Sequence, residues 1–178
     1  MIRKLTVLVA VLMLGSMLAV AQQSTSKIDL FGGYSYFNGS TSGATSRFSL
    51  NGWNGQGTFN FTPWLGGTAD FGGYYGSPFN VSANDYTFLF GPTIKVRTPH
   101  VTPFVHALFG ADRFHAAALG GSTNNSAFAM AVGGGADIPL KGMFALRLGQ
   151  LDWLRTNHYS NGQNNLRFCT GVVLRFGE

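Results

Sequence analysis

From Lys27 onward, apolar and polar residues alternate in short runs, and this period of two constrains the fold more than any motif does. A residue in a β-strand points opposite to its neighbours, so strict alternation sorts a strand into two chemically different faces. Eight such runs are readable: roughly Lys27 to Phe37, Ser49 to Phe61, Leu65 to Tyr75, Asp85 to Val96, Thr102 to Phe114, Ala127 to Ile138, Met143 to Arg155 and Asn165 to Phe176. Clusters of Gly, Asn, Ser and Pro separate them, and no segment after Lys27 carries a helical period.

The sorting is consistent from run to run. In the second, Trp53, Phe59 and Phe61 oppose Asn54, Gln56, Thr58 and Asn60; in the third, Leu65, Ala69 and Phe71 oppose Thr68 and Asp70. In the sixth, Phe128, Met130, Val132 and Ile138 oppose Gly133, Gly135 and Asp137. In the last, Leu166, Phe168, Val172, Leu174 and Phe176 oppose Arg167, Gly171 and Arg175. The connections also alternate. Long polar stretches ("NGSTSGATSR", "GSPFNVSAN", "HAAALGGSTNNS", "TNHYSNGQN") follow odd-numbered runs, and tight turns near Pro63 and Pro139 follow runs two and six. Short turns at one end and longer loops at the other, with an even strand count, are the layout of an up-and-down barrel threaded through an outer membrane, with both termini on the periplasmic side.

Cost decides which face meets lipid. An Arg or Lys on the lipid face near the midplane costs about 2–4 kcal/mol, whereas inside it can find a partner. The aromatic face is therefore expected outside, and Asp70, Lys95, His106, Asp112, Asp137, Arg147 and Arg167 inside as a mixed-sign network filling a narrow lumen. A soluble barrel would reverse the two faces and show Phe59, Phe71, Phe88, Phe90, Phe109 and Phe144 to water, more apolar surface than a monomer tolerates. In the seventh run Arg147 faces inward by alternation while Gln150 and Asp152 fall on the other parity. A bulge near Gly149 would bring all three inside.

Composition agrees with this reading. Only 11% of the 178 residues are charged, against about a quarter in ordinary soluble chains, while 14% are aromatic and 25 are glycine. The N-terminus, "MIRKLTVLVAVLMLGSMLAVAQQ", has Arg3 and Lys4, an apolar run from Leu5 to Leu18 and small residues at Ala19 and Ala21. This is the three-part pattern of a cleaved signal peptide over 1–21, leaving 22–178 as the barrel domain. Taking Arg3 and Lys4 from the 12 basic residues leaves 10 against 7 acidic, a formal charge of +3 in place of +5. With no basic run, no nucleic-acid partner is expected. Cys169 is the only cysteine, so no disulfide forms within a monomer.

The stretches "WNGQGTFNFTPWLGGTADF", "TPFVHALFGADRF", "AFAMAVGGGADIPL", "FALRLGQLDWLRT" and "NLRFCTGVVLRFG" resemble the small outer-membrane β-barrel proteins of Gram-negative bacteria, the group that includes OmpA-like transmembrane barrels. The most specific piece is the closing strand ending on Phe176, followed here by Gly177 and Glu178. The resemblance implies export by the general secretory route, insertion by the barrel-assembly machinery, and residence as a monomer among outer-membrane lipid and lipopolysaccharide. No peptidoglycan-binding domain is expected. The group's members include envelope-stabilising proteins, adhesins, narrow channels and a few lipid-modifying enzymes. A structural or surface-interaction role, with an unknown extracellular ligand at the loops, is the expectation. A narrow, porin-like pore for small solutes is the first alternative.

A lipid A hydrolase is the second alternative. "HYSN" resembles the His-x-Ser-Asn element of the lipid A deacylases, a likeness that would make His158 the base, Ser160 the nucleophile and Asn161 an oxyanion donor. The glutamate that family places about a dozen residues later corresponds to Val172; Asp152 is the nearest substitute, and Glu178 is expected at the opposite end of the barrel. Asn, Ser and Gly are also what external loops are made of, so no catalytic residue is assigned. His100, His106, His115 and His158 match no metal-binding spacing, and "GGGAD" at Gly133 to Asp137 lacks the lysine and helix of a phosphate loop. No metal or cofactor is expected.

Overall fold

The computed structural model describes residues 25–40, 47–76, 82–118, 121–158 and 161–177. Eight strands follow one another: β1 (Ile28–Ser40), β2 (Arg47–Asn60), β3 (Leu65–Gly76), β4 (Ser82–Lys95), β5 (Thr102–Ala118), β6 (Gly121–Pro139), β7 (Phe144–His158) and β8 (Asn161–Phe176). Each pairs antiparallel with its neighbours in sequence, and β8 closes on β1 to complete a barrel. Closure leaves no sheet edge, which is the one way a sheet can satisfy its backbone where water is absent.

The strands are staggered as closure requires. The hydrogen-bonded row that starts at Leu30, near the start of β1, runs through Gly57, Ala69, Phe90, Phe109 and Met130 to Arg155, near the end of β7. At the end that holds both termini, three short turns join the strands. The turn after β2 closes with Phe61 and Thr62 amides donating to the Leu65 carbonyl, and the turn after β6 needs Gly142 at φ 67°, where a side chain would be strained.

The expected strand ends differ from the observed ones mostly at the loop end. Much of "HAAALGGSTNNS" is ladder rather than loop, with β5 and β6 paired out to Ala118 and Gly121. Likewise β7 and β8 stay paired to His158 and Asn161, within the stretch read as a fourth long loop. The reason is that Ala, Asn, Ser and Thr lose the apolar signal of a membrane strand without losing the ability to pair. Strands of 12 to 19 residues outrun the roughly 9–11 that a tilted strand needs to cross a bilayer.

The outer wall is apolar, as the alternation predicts: Phe59, Phe71, Phe88, Phe90, Phe109 and Phe144 are all exposed. Every one of the seven charged or titratable residues expected in the lumen is buried there. The bulge is present as well. The β7–β8 register shifts between Arg147 and Gln150, the β6–β7 register shifts beside it, and Arg147, Gln150 and Asp152 all point inward.

The lumen is not polar throughout, which corrects the expectation of an interior filled by a charged network. Phe37, Leu50, Tyr74, Leu89, Leu108, Ala129, Ala131 and Leu154 form a buried cluster drawn from every strand from β1 to β7. Alternation places these residues on the inner face just as it places Asp70 there. Cost arguments keep charges out of lipid, but nothing keeps apolar residues out of a lumen too narrow for water.

Candidate functional site

The interior is built in layers. Nearest the short turns, Asp29 gathers four donors: Lys95 Nζ and Ser26 Oγ, each at 2.6 Å, Asn60 Nδ2 at 3.0 Å and Arg97 Nη2 at 3.4 Å. Arg97, in the connection after β4, is held below the usual arginine range by burial, which the Asp29 carboxylate partly offsets. A hydroxyl ladder crosses three strands beside this group, with Thr58, Thr68 and Thr93 linked at 2.8 and 2.6 Å.

The next layer centres on Arg147. Its guanidinium donates to Asp137 Oδ1 at 2.8 Å and to Gln56 Oε1 and Gln150 Oε1 at 2.6 Å each. Its two faces lie 4.2 Å from the Phe31 ring centre and 4.3 Å from that of Phe104. An arginine held between two rings and hydrogen-bonded along its edge is fixed in place.

Above it sits Arg167, completely buried, donating to Asp70 Oδ1 and Oδ2 at 2.8 and 3.0 Å and to Asp152 Oδ2 at 2.8 Å. It also donates to the Tyr74 hydroxyl at 3.2 Å. Asp152 further accepts from Gln150 Nε2 at 2.7 Å and from the His106 ring at 2.9 Å, while Asp70 accepts from Gln56 Nε2 at 2.6 Å. Gln56 Nε2 and Gln150 Oε1, 3.1 Å apart, join the two arginine layers into one network. Glycines make the space: a Cβ on Gly133 would collide with Asp152 and with the backbone carbonyl of Leu151. Close packing is what "GGGAD" is for.

Beyond Arg167 comes the apolar layer, and beyond that a second acidic position. Along β4 the inward order is Lys95, Thr93, Leu89, Thr87, Asp85; along β5 it is Phe104, His106, Leu108, Asp112. Leu89 and Leu108 thus separate the buried Asp85 and Asp112, on adjacent strands, from the arginines.

Of the residues in the hydrolase reading, only Asp152 and Val172 have described side chains. Ser160 and Glu178 lie outside the described residues. His158 ends β7 and pairs across the hairpin with Asn161. Asp152, the nearest acid, is six residues earlier on the same strand, about 20 Å at the rise of an extended chain, and is already committed to Arg167, Gln150 and His106. Val172 faces outward. Among the described residues no group of three His, Cys, Asp or Glu side chains is placed to hold a metal ion. Sequence reasoning missed Asp29, Gln56 and Arg97 as network members, although the alternation places Asp29 and Gln56 on inner faces.

An apolar outer wall around a charged interior, closed by eight antiparallel strands, defines the class as integral membrane β-barrels. Residues 7–177 match the sequence profile of the outer membrane protein beta-barrel domain, and the chain belongs to that family. No curated protein is a detectable sequence relative. Solved structures share the fold at low identity. Neisserial surface protein A superposes with a TM-score of 0.73 at 12% identity, over 86% of this chain and 100% of that one. Ail, the attachment invasion locus protein of Yersinia pestis, gives 0.62 at 14% identity, over 85% and 100%. The N-terminal barrel of Pseudomonas aeruginosa OprF gives 0.58 at 14%, over 86% and 100%.

Proposed function

We propose that this outer-membrane barrel works through its surfaces, as a structural or surface-interaction protein, and neither conducts solutes nor hydrolyses lipid. The observation that carries the reading is the apolar layer. Leu50, Leu89, Leu108 and Leu154 are fully buried in the lumen above the ion network, an apolar plug between that network and the loop end. The clamped Arg147 blocks the lower half independently. What remains available to other molecules is the outer wall and the loop end. In this reading the chain is exported by the general secretory route, inserted by the barrel-assembly machinery, and sits as a monomer with its termini in the periplasm.

Planar-bilayer recordings test it. The purified barrel is expected to give no steady single-channel steps; a steady conductance that an Arg147→Ala change alters would replace this reading with a pore. The hydrolase alternative is tested separately by mass spectrometry of lipid A from cells with and without the protein. The acyl pattern is expected to be unchanged.

A further inference from the structure

Charge is distributed unevenly over this barrel: the lumen holds both signs, and the outer wall shows only one. All six aspartates of the described residues, Asp29, Asp70, Asp85, Asp112, Asp137 and Asp152, are buried in the lumen. The exposed ionic side chains among the described residues are all cationic: Lys27 and Lys141 at the end with the short turns, Arg113 and Arg155 at the loop end. On the described outer wall, then, neither exposed arginine has a carboxylate neighbour. Arg113 lies over the Phe88 ring at 5.9 Å.

Arg155 also has a groove beneath it. Where β7, β8 and β1 meet, a hollow of about 280 Å³ opens on the outer wall, lined by Tyr36, Asn38, Leu151, Leu166 and Phe168. Register orders its lining. Leu151, Phe168 and Tyr36 form one cross-strand row, Trp153, Leu166 and Asn38 the next towards the loops, and Arg155 with Asn164 the row after that on β7 and β8. The bulge contributes to the shape, because the Phe168 ring lies over Gly149, where an added Cβ would come within 3.1 Å of it. The groove is apolar at its membrane end and polar at its loop end, where the Tyr36 hydroxyl and Ser49 Oγ are 2.7 Å apart and Asn38 Nδ2 donates to Ser49 at 3.5 Å.

We infer that this groove holds one acyl chain of a phosphorylated glycolipid of the outer leaflet, with Arg155 pairing its phosphate. The chemistry matches end to end. An acyl chain fills an apolar trough against Leu151, Phe168 and Leu166, sugar hydroxyls meet Asn38 and Tyr36, and a guanidinium fits a phosphate as a fork. Arg113, on β5, is likewise an exposed arginine but sits on the far side of β6, away from the groove. It serves as the internal control.

The inference rests on the outer-membrane reading, and the experiment separates the two. The purified barrel is placed in phosphatidylcholine nanodiscs containing a small fraction of diphosphorylated lipid A, and retained lipid is measured by native mass spectrometry. Wild type is expected to retain lipid A in preference to phosphatidylcholine. Arg155→Gln is expected to lower retention about tenfold, the equivalent of one charge-assisted hydrogen bond, as is Leu166→Trp, which fills the groove. Arg113→Gln is expected to leave retention unchanged. Equal loss in Arg113→Gln and Arg155→Gln would show a diffuse basic belt and overturn the site, and so would undiminished retention of dephosphorylated lipid A. Folding of each variant is checked by its gel mobility with and without boiling. Membrane fractionation of cells tests the outer-membrane reading itself, whatever the lipid result.

Discussion

The lumen of this barrel is filled by two kinds of material, ionic and apolar. Around Arg147 and Arg167, carboxylates and amides form a network; above them a cluster of Leu, Phe, Tyr and Ala from seven of the eight strands fills the same cylinder. The two solve one problem, filling a space too narrow for bulk water, by opposite means. An apolar layer tolerates small misfits at the cost of a cavity. A buried ionic layer tolerates none, because removing one partner strands a charge.

Substitutions should therefore break the two layers differently. Arg167→Met leaves Asp70 and Asp152 buried together without their shared cation, and a loss of about 3–5 kcal/mol is expected in urea unfolding from lipid vesicles. Adding Asp152→Asn should recover part of that loss; strictly additive effects would mean that the layer is not a network. Leu108→Ala should cost about 2–4 kcal/mol and, alone among these changes, open a leak in planar-bilayer recordings. Gly133→Ala, which drives a methyl group into Asp152 and the β7 backbone, should cost about 1–3 kcal/mol without conductance. The smallest effect is expected for Thr68→Val, which removes the middle rung of the Thr58–Thr68–Thr93 ladder for about 1 kcal/mol. A Thr68→Val loss as large as that of Arg167→Met would erase the distinction between ionic and merely polar filling.

Much of this was legible before any coordinates. Alternation placed Asp70, Lys95, His106 and Arg167 inside, and the broken parity after Arg147 located the bulge that turns Asp152 inward, because a single extra residue is visible as a phase shift in a period of two. The apolar layer was less legible. Phe37, Leu50 and Leu89 stand on inner faces by the same parity, but parity says which side of the sheet a residue faces and not how high it sits. The lipid-facing groove was illegible for a related reason: Tyr36 and Leu151 become neighbours of Phe168 only once β8 is paired on both sides.

The sequence by itself determined the eight strands, which face of each meets lipid, and which end carries the tight turns. Those properties depend on neighbours one and two residues apart and on the cost of placing charge in hydrocarbon. The tertiary structure alone decided the partners. Arg167 meets Asp70 across 97 residues, and Gln56 meets Gln150 across 94, because the stagger forced by closure brings inner faces of distant strands to one level. Strand sequence carries a period but no absolute height, so the layers of the lumen exist only after the barrel has closed.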